Sequence, residues 1–145
     1  MWNRFRRDER GSFIIQTVIL LPVMLLLIGL VLDGGWMYWQ YRRTEVMANA
    51  AAQAASHAID INYFRATNQV KLDQGKAAAV ANDFIQLNRR GQITFTGVRV
   101  NNDQITVNAA ARIPTIFFRL AGISAFTVKV EGTAYPAFGI NREGQ

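Results

Sequence analysis

SFIIQTVILLPVMLLLIGLVL, residues 12–32, runs for 21 residues without a charged side chain. At about 1.5 Å per helical residue it is roughly 31 Å long as a helix, enough to cross the hydrocarbon core of a bilayer. Arg4, Arg6, Arg7 and Arg10 precede the run, offset by Asp8 and Glu9, and the next positive charges, Arg42 and Arg43, come about ten residues beyond its end. That asymmetry predicts a cytoplasmic amino terminus and a translocated remainder, periplasmic or extracellular, anchored once in the inner membrane. Trp36, Tyr38, Trp39 and Tyr41 cluster just past the run, where amphipathic rings settle among headgroups, and Trp2 and Phe5 can do the same on the inner side. A cleaved secretory signal shares the basic start, but its apolar part usually spans about 7 to 15 residues and ends at a small-x-small site. Pro22 lies mid-span and removes one backbone donor, which predicts a bend. Asp33 at the outer edge reads as a water-facing boundary charge or, alternatively, as a partner for an assembly neighbour.

Composition narrows the function classes. The chain has 145 residues, so one small domain plus an appendage fits better than two domains. It contains no cysteine and one histidine, which removes disulfides, thiolate metal sites and cysteine nucleophiles. His57 has only Asp60 nearby at metal-ligand spacing, and no catalytic triad, paired carboxylate or glycine-rich phosphate loop stands out. We therefore expect no enzyme activity, metal or cofactor. Sixteen Lys and Arg against ten Asp and Glu give a net charge of +6. Four of those positives serve topology in the first eleven residues and the rest are scattered, so nucleic-acid binding is not expected.

Beyond the span, Met37 to Ile59 lacks Gly and Pro and is dense in Ala, so the helix should continue as one rod, with Gly34 and Gly35 as its weak point. Alanines 48 and 52, 51 and 55, and 54 and 58 stack four apart, which permits close approach of another helix, internal or from a second subunit. Asp60 to Leu72 reads as a connecting loop. A second helix is predicted over about Asp73 to Leu87, N-capped by Asp73 and stopping near Gly91, with Arg89 and Arg90 complementing its dipole. The pattern then changes to period two. Ile93, Phe95, Val98 and Val100 predict a strand with a bulge at Gly97, followed by a turn at Asn101, Asn102 and Asp103. Ile105, Val107, Ala109 and Ala111 predict a second strand, and Phe126, Val128, Val130 and Gly132 a third. Between them, Pro114 to Leu120 predicts a short cap ending at Gly122 that buries its aromatics against the sheet. Tyr135 and Pro136 close the last strand.

The predicted fold class is α+β: a long N-terminal transmembrane and extended helix, a second helix and a three-stranded antiparallel sheet, pilin-like in outline. The segments are a cytoplasmic basic N-terminus (1–11), the transmembrane helix (12–32), its extramembrane continuation (33–60), a small α+β domain (61–136) and a polar tail (137–145). A sheet of three strands needs one face covered, and the extramembrane part of the long helix is the obvious cover.

Several of these residues, in this order, resemble a family. Arg10-Gly11-Ser12, Pro22 eleven residues after the glycine, and Gly29-Leu30-Val31-Leu32-Asp33 are similar to the amino-terminal region of TadE/TadG-like proteins of the Tad (Flp) pilus-assembly system. Tyr38, Arg42 and Arg43, then Asn49-Ala50-Ala51-Ala52-Gln53-Ala54-Ala55, resemble that family's arginine and "LQNAADAAALAAA" continuation, with Ala52 where the family has aspartate. Val107 to Gly122, with Ile113-Pro114-Thr115-Ile116-Phe117-Phe118-Arg119-Leu120-Ala121-Gly122, is similar to its strand, Pro-Thr and apolar turn, and Val128 to Ala134 to its closing strand. The resemblance implies a minor pilin, pseudopilin or scaffold in pilus assembly or secretion, with the membrane, other Tad pilus-assembly or minor pilin proteins, or copies of itself as partners. It implies a candidate processing site between Gly11 and Ser12. It also implies an assembly helix in which Gln16, Pro22, Asp33, Tyr38, Arg42, Asn49, Ala51 and Ala55 carry the contacts. TadE-like members have a Glu five residues after the glycine for polymerisation and processing; Gln16 stands there and cannot carry that charge. Together with the Asp33 phrase, Gln16 tilts the reading toward the TadG-like side. The alternative is a membrane-tethered extracytoplasmic binding module unrelated to pili.

Overall fold

The structure, a computed structural model, describes residues 9–88, 93–101 and 104–136. The predicted turn at Asn102 and Asp103, Arg89 and Arg90, the stop at Gly91, and the segments before Glu9 and after Pro136 lie outside the described residues.

One helix, α1 (Glu9–Ala55), runs for 47 residues and would be about 70 Å long. It passes through Pro22 and through Gly34 and Gly35 as a single element. It ends at Ala55, short of the predicted boundary at residue 60. There the Ser56 hydroxyl donates to Gln53 O at 2.7 Å, and the chain turns so that Ala58 to Asp60 can pair with a later segment. Asp60 N–H donates to Lys71 O (2.8 Å) and Asp73 N–H to Ala58 O (2.9 Å), around an Ile59–Leu72 bridge.

The loop pinched off by this bridge is not irregular throughout, as the sequence suggested. It contains a short helix, α2 (Ile61–Thr67). The Asp60 carboxylate caps its start by accepting from Asn62 and Tyr63 N–H, and Asn68 ends it in the left-handed region at φ 54°. The next helix, α3 (Gln74–Asn88), begins where predicted. Asp73 Oδ1 accepts from Gly75 N–H at 2.9 Å and Lys76 N–H at 3.1 Å.

Strands β1 (Ile93–Asn101), β2 (Gln104–Pro114) and β3 (Ala125–Ala134) form an antiparallel sheet in sequence order. The register of β1 on β2 shifts between Phe95 and Gly97, the bulge anticipated at that glycine. Along β2, Ile105, Val107, Ala109, Ala111 and Ile113 point into the core and alternate with more accessible residues, so period two decides the face. Against this face lie the carboxyl-terminal part of α1, over β2 and β3, and α3, over β1.

The interface between α1 and the sheet is made from small side chains. Ala48, Ala51, Ala52 and Ala55 are fully buried, together with Ala77, Ala81 and Ile85 of α3. Gly132 of β3 pairs with Val107, and a β-carbon placed on it would collide with the backbone of Ala48 and Asn49. Only glycine lets helix backbone and strand backbone meet there. The alanine stripe therefore faces this chain's own sheet and α3.

Candidate functional site

The chain shows a division of labour along α1. Residues 13–32 present their apolar side chains outward almost without exception, Gly29 being the buried one. From Thr44 onward one side of the same helix is built into the core. By length and composition α1 is the one described helix that can cross a membrane.

Asp33 sits where the two halves meet, and the structure corrects its reading as a water-facing charge. It is 5% exposed. Its carboxylate accepts three backbone hydrogen bonds from the β2–β3 connection: Ile116 N–H to Oδ1 at 3.0 Å, and Phe117 and Phe118 N–H to Oδ2, each at 2.8 Å. These donors open a short 3₁₀ turn (Phe118–Ala121) that closes on Gly122 at φ 86°. A chain leaving a strand for such a turn has N–H groups without ladder partners, and a buried carboxylate needs donors, so each satisfies the other. Removal from water pushes the Asp33 carboxyl up; the N–H groups of Phe118, Ile116 and Phe117 together outweigh that and hold it below the ordinary carboxylate range.

A second contact fixes the connection four residues earlier on the helix. Phe117 lies over Gly29 so closely that a β-carbon there would run into its ring. Phe118 turns the other way and meets Phe126 of β3 edge to face, with ring centroids 5.7 Å apart. The expectation that this cap buries its aromatics against the sheet thus holds for Phe118, whereas Phe117 packs on α1 and Ile116 and Leu120 stay exposed.

Residues 11–56 match the family of TadE-like proteins. No curated protein and no solved structure matches the chain. The TadE-like segment begins at Gly11 and takes in nearly all of α1, with Asp33 and the buried Ala48, Ala51, Ala52 and Ala55, whereas the Ile116–Phe118 donors to Asp33 lie beyond it. The match covers both Gln16 and Asp33, the positions on which the lean toward the TadG-like side rests.

Within the TadE-like segment, Ser12, Gln16 and Pro22 lie on the exposed apolar half, at the side of Gly11 and beyond. Tyr38 is exposed, beside Trp36 and Trp39, whose rings stack with centroids 5.2 Å apart. Arg43 lies 5.5 Å over the Trp39 ring, and Arg42 pairs with Glu45 one turn on at 2.6 Å. Both are surface interactions of modest weight. Asn49 Oδ1 accepts from Thr133 N–H (3.1 Å), which gives the edge strand β3 a partner on its open side. Ala51 and Ala55 are buried inside the chain's own core. Of the expected assembly residues, then, Asp33, Asn49, Ala51 and Ala55 hold the domain to α1, while Gln16, Pro22, Tyr38 and Arg42 face outward. Sequence reasoning missed Gly29, Phe117 and Gly132 as contact points. Among the described residues there is no group of three or more His, Cys, Asp or Glu suited to a metal ion, and His57 lies exposed just after α1.

Proposed function

We propose that this protein is a single-pass membrane component of a Tad-type pilus assembly or secretion machine, working by noncovalent packing as a minor pilin or scaffold. The observation that carries this reading is the unbroken α1, apolar and exposed over its first half and locked into a small α+β head over its second. Such a rod can place the head at a set distance from the bilayer while the exposed leucines and isoleucines pack among lipid or other membrane helices. The TadE-like match over 11–56 and the arginines before Gly11 support an inner-membrane placement with the amino terminus cytoplasmic and the head outside. The bond between Gly11 and Ser12 is the candidate processing site, and with Gln16 in place of an acid no intramembrane ion pair would drive polymerisation. No chemistry is required of the protein, and its partners would be the other minor pilins and assembly proteins.

A deletion strain tests the reading. Surface pili should be lost while the major subunit is still made, and a plasmid copy should restore them. Normal pili and adherence in the deletion strain would overturn it.

A further inference from the structure

We infer that the tip of the β2–β3 connection, residues 116–120, is embedded among the acyl chains of the outer leaflet beside α1, as a second and shallow membrane contact of the head. The inference rests on reading α1 as the membrane anchor. Three observations point to lipid as the occupant of this exposed face.

The first is depth. Phe117 packs on Gly29, four residues and about 6 Å back along α1 from Asp33, so the tip reaches past the last charge and alongside the uncharged run. The second is surface chemistry. Ile116 is 69% and Leu120 81% exposed, and Phe117, Phe118 and Leu120 share one apolar groove with Leu26, Leu27 and Leu30 of α1. The exposed apolar surface of the tip is continuous with that of the span, so the solvent that suits one suits the other. The third is the backbone. Irregular chain is tolerated at membrane depth only where its polar groups are satisfied within the protein. Asp33 takes the N–H groups of Ile116, Phe117 and Phe118. Thr115 N–H donates to Ser124 O, Leu120 N–H to Phe117 O, Gly122 N–H to Arg119 O and Ile123 N–H to Phe118 O, and the Thr115 hydroxyl donates to Ile123 O. Arg119 is the one charged residue of the tip, exposed and long enough to carry its guanidinium up to the headgroups.

The absence of cysteine from the chain makes the test clean. The full-length protein is reconstituted into vesicles of phosphatidylethanolamine and phosphatidylglycerol, with a nitroxide attached through Leu27→Cys, Leu120→Cys or Leu87→Cys in separate samples. Leu87 is 85% exposed on α3 and serves as the aqueous reference. Collisions with oxygen should exceed those with a water-soluble nickel chelate at positions 27 and 120, and the ratio should invert at 87. If 27 is lipid-like and 120 resembles 87, the inference fails and the anchor stands. Accessibility of 27 to the chelate overturns the anchor reading and this one with it. Shielding of 120 from both reagents means that a protein surface covers the tip, which also overturns the inference.

Discussion

Asp33 Oδ2 accepts the backbone N–H of Phe118 at 2.8 Å although the two residues stand 85 positions apart in the chain. A single side chain near the middle of α1 thereby ties the far end of the β2–β3 hairpin to the helix. Replacing it should release the connection without unfolding the sheet. Amide hydrogen exchange at Ile116, Phe117 and Phe118 should accelerate strongly in Asp33→Ala and less in Asp33→Asn, whose amide oxygen still accepts. Unchanged exchange at these three amides in Asp33→Ala would show that the clasp does not hold the tip.

The same carboxylate makes stability depend on pH with a definite sign. Its folded-state pKa lies below the unfolded value of about 3.9, so the stabilisation is present in full above that value and is lost as pH falls through the folded one. The advantage in Tm of the wild type over Asp33→Asn should therefore be constant from neutral pH down to about 5 and shrink below about 4. An advantage that grew on acidification would contradict the assignment of the group as a bound carboxylate.

Gly132 should tolerate no side chain. Gly132→Ala forces α1 away from β3 at Ala48 and Asn49, and overpacking of this kind costs about 1–3 kcal/mol. Urea unfolding of the full chain in detergent, followed at the sheet, should show the midpoint falling. An equal stability of variant and wild type would mean that helix and strand backbones are not in contact there.

Ile85 and Leu87 lie two residues apart on α3 with opposite environments, fully buried and 85% exposed. Ile85→Ala should cost about 2–5 kcal/mol. Leu87→Ala should stay within about 0.5 kcal/mol of the wild type. The difference between the two midpoints checks the face that α3 turns toward α1 and β1.

Asn49→Ala leaves the Thr133 N–H on the edge of the sheet without its acceptor, at a cost of about 0.5–1.5 kcal/mol. Faster exchange of the Thr133 amide, with the amides of β2 unaffected, is the expected signature.

These residues also mark where a sequence can and cannot be read. The inward face of β2 was legible because Ile105, Val107, Ala109 and Ala111 repeat every second position, and the long apolar helix because its uncharged run lasts for 21 residues. Asp73 as a cap and Gly97 as a bulge were legible for a similar reason, since both act on neighbours a few positions away. The α2 turn went unread although Asp60 and Asn68 bracket it, because seven residues give too short a period to detect. Asp33 was misread because a charge at the end of an apolar run ordinarily faces water; its true partners are backbone N–H groups some 80 residues later, and a backbone group carries no letter in the sequence. Gly29 and Gly132 share that difficulty, as what each makes room for comes from another element.

Gly34 and Gly35, the two residues at which a lone α1 would flex most easily, fall between the places where the β2–β3 hairpin grips the helix, at Asp33 on one side and at Ala48 on the other. The hairpin acts as a splint across them. With that joint stiffened, a tilt of ten degrees at the foot of a shaft about 70 Å long swings its tip sideways by roughly 12 Å. With α1 anchored as proposed, a small rearrangement of helices inside the bilayer would be felt as a large sweep of the head, with the shaft acting as a lever.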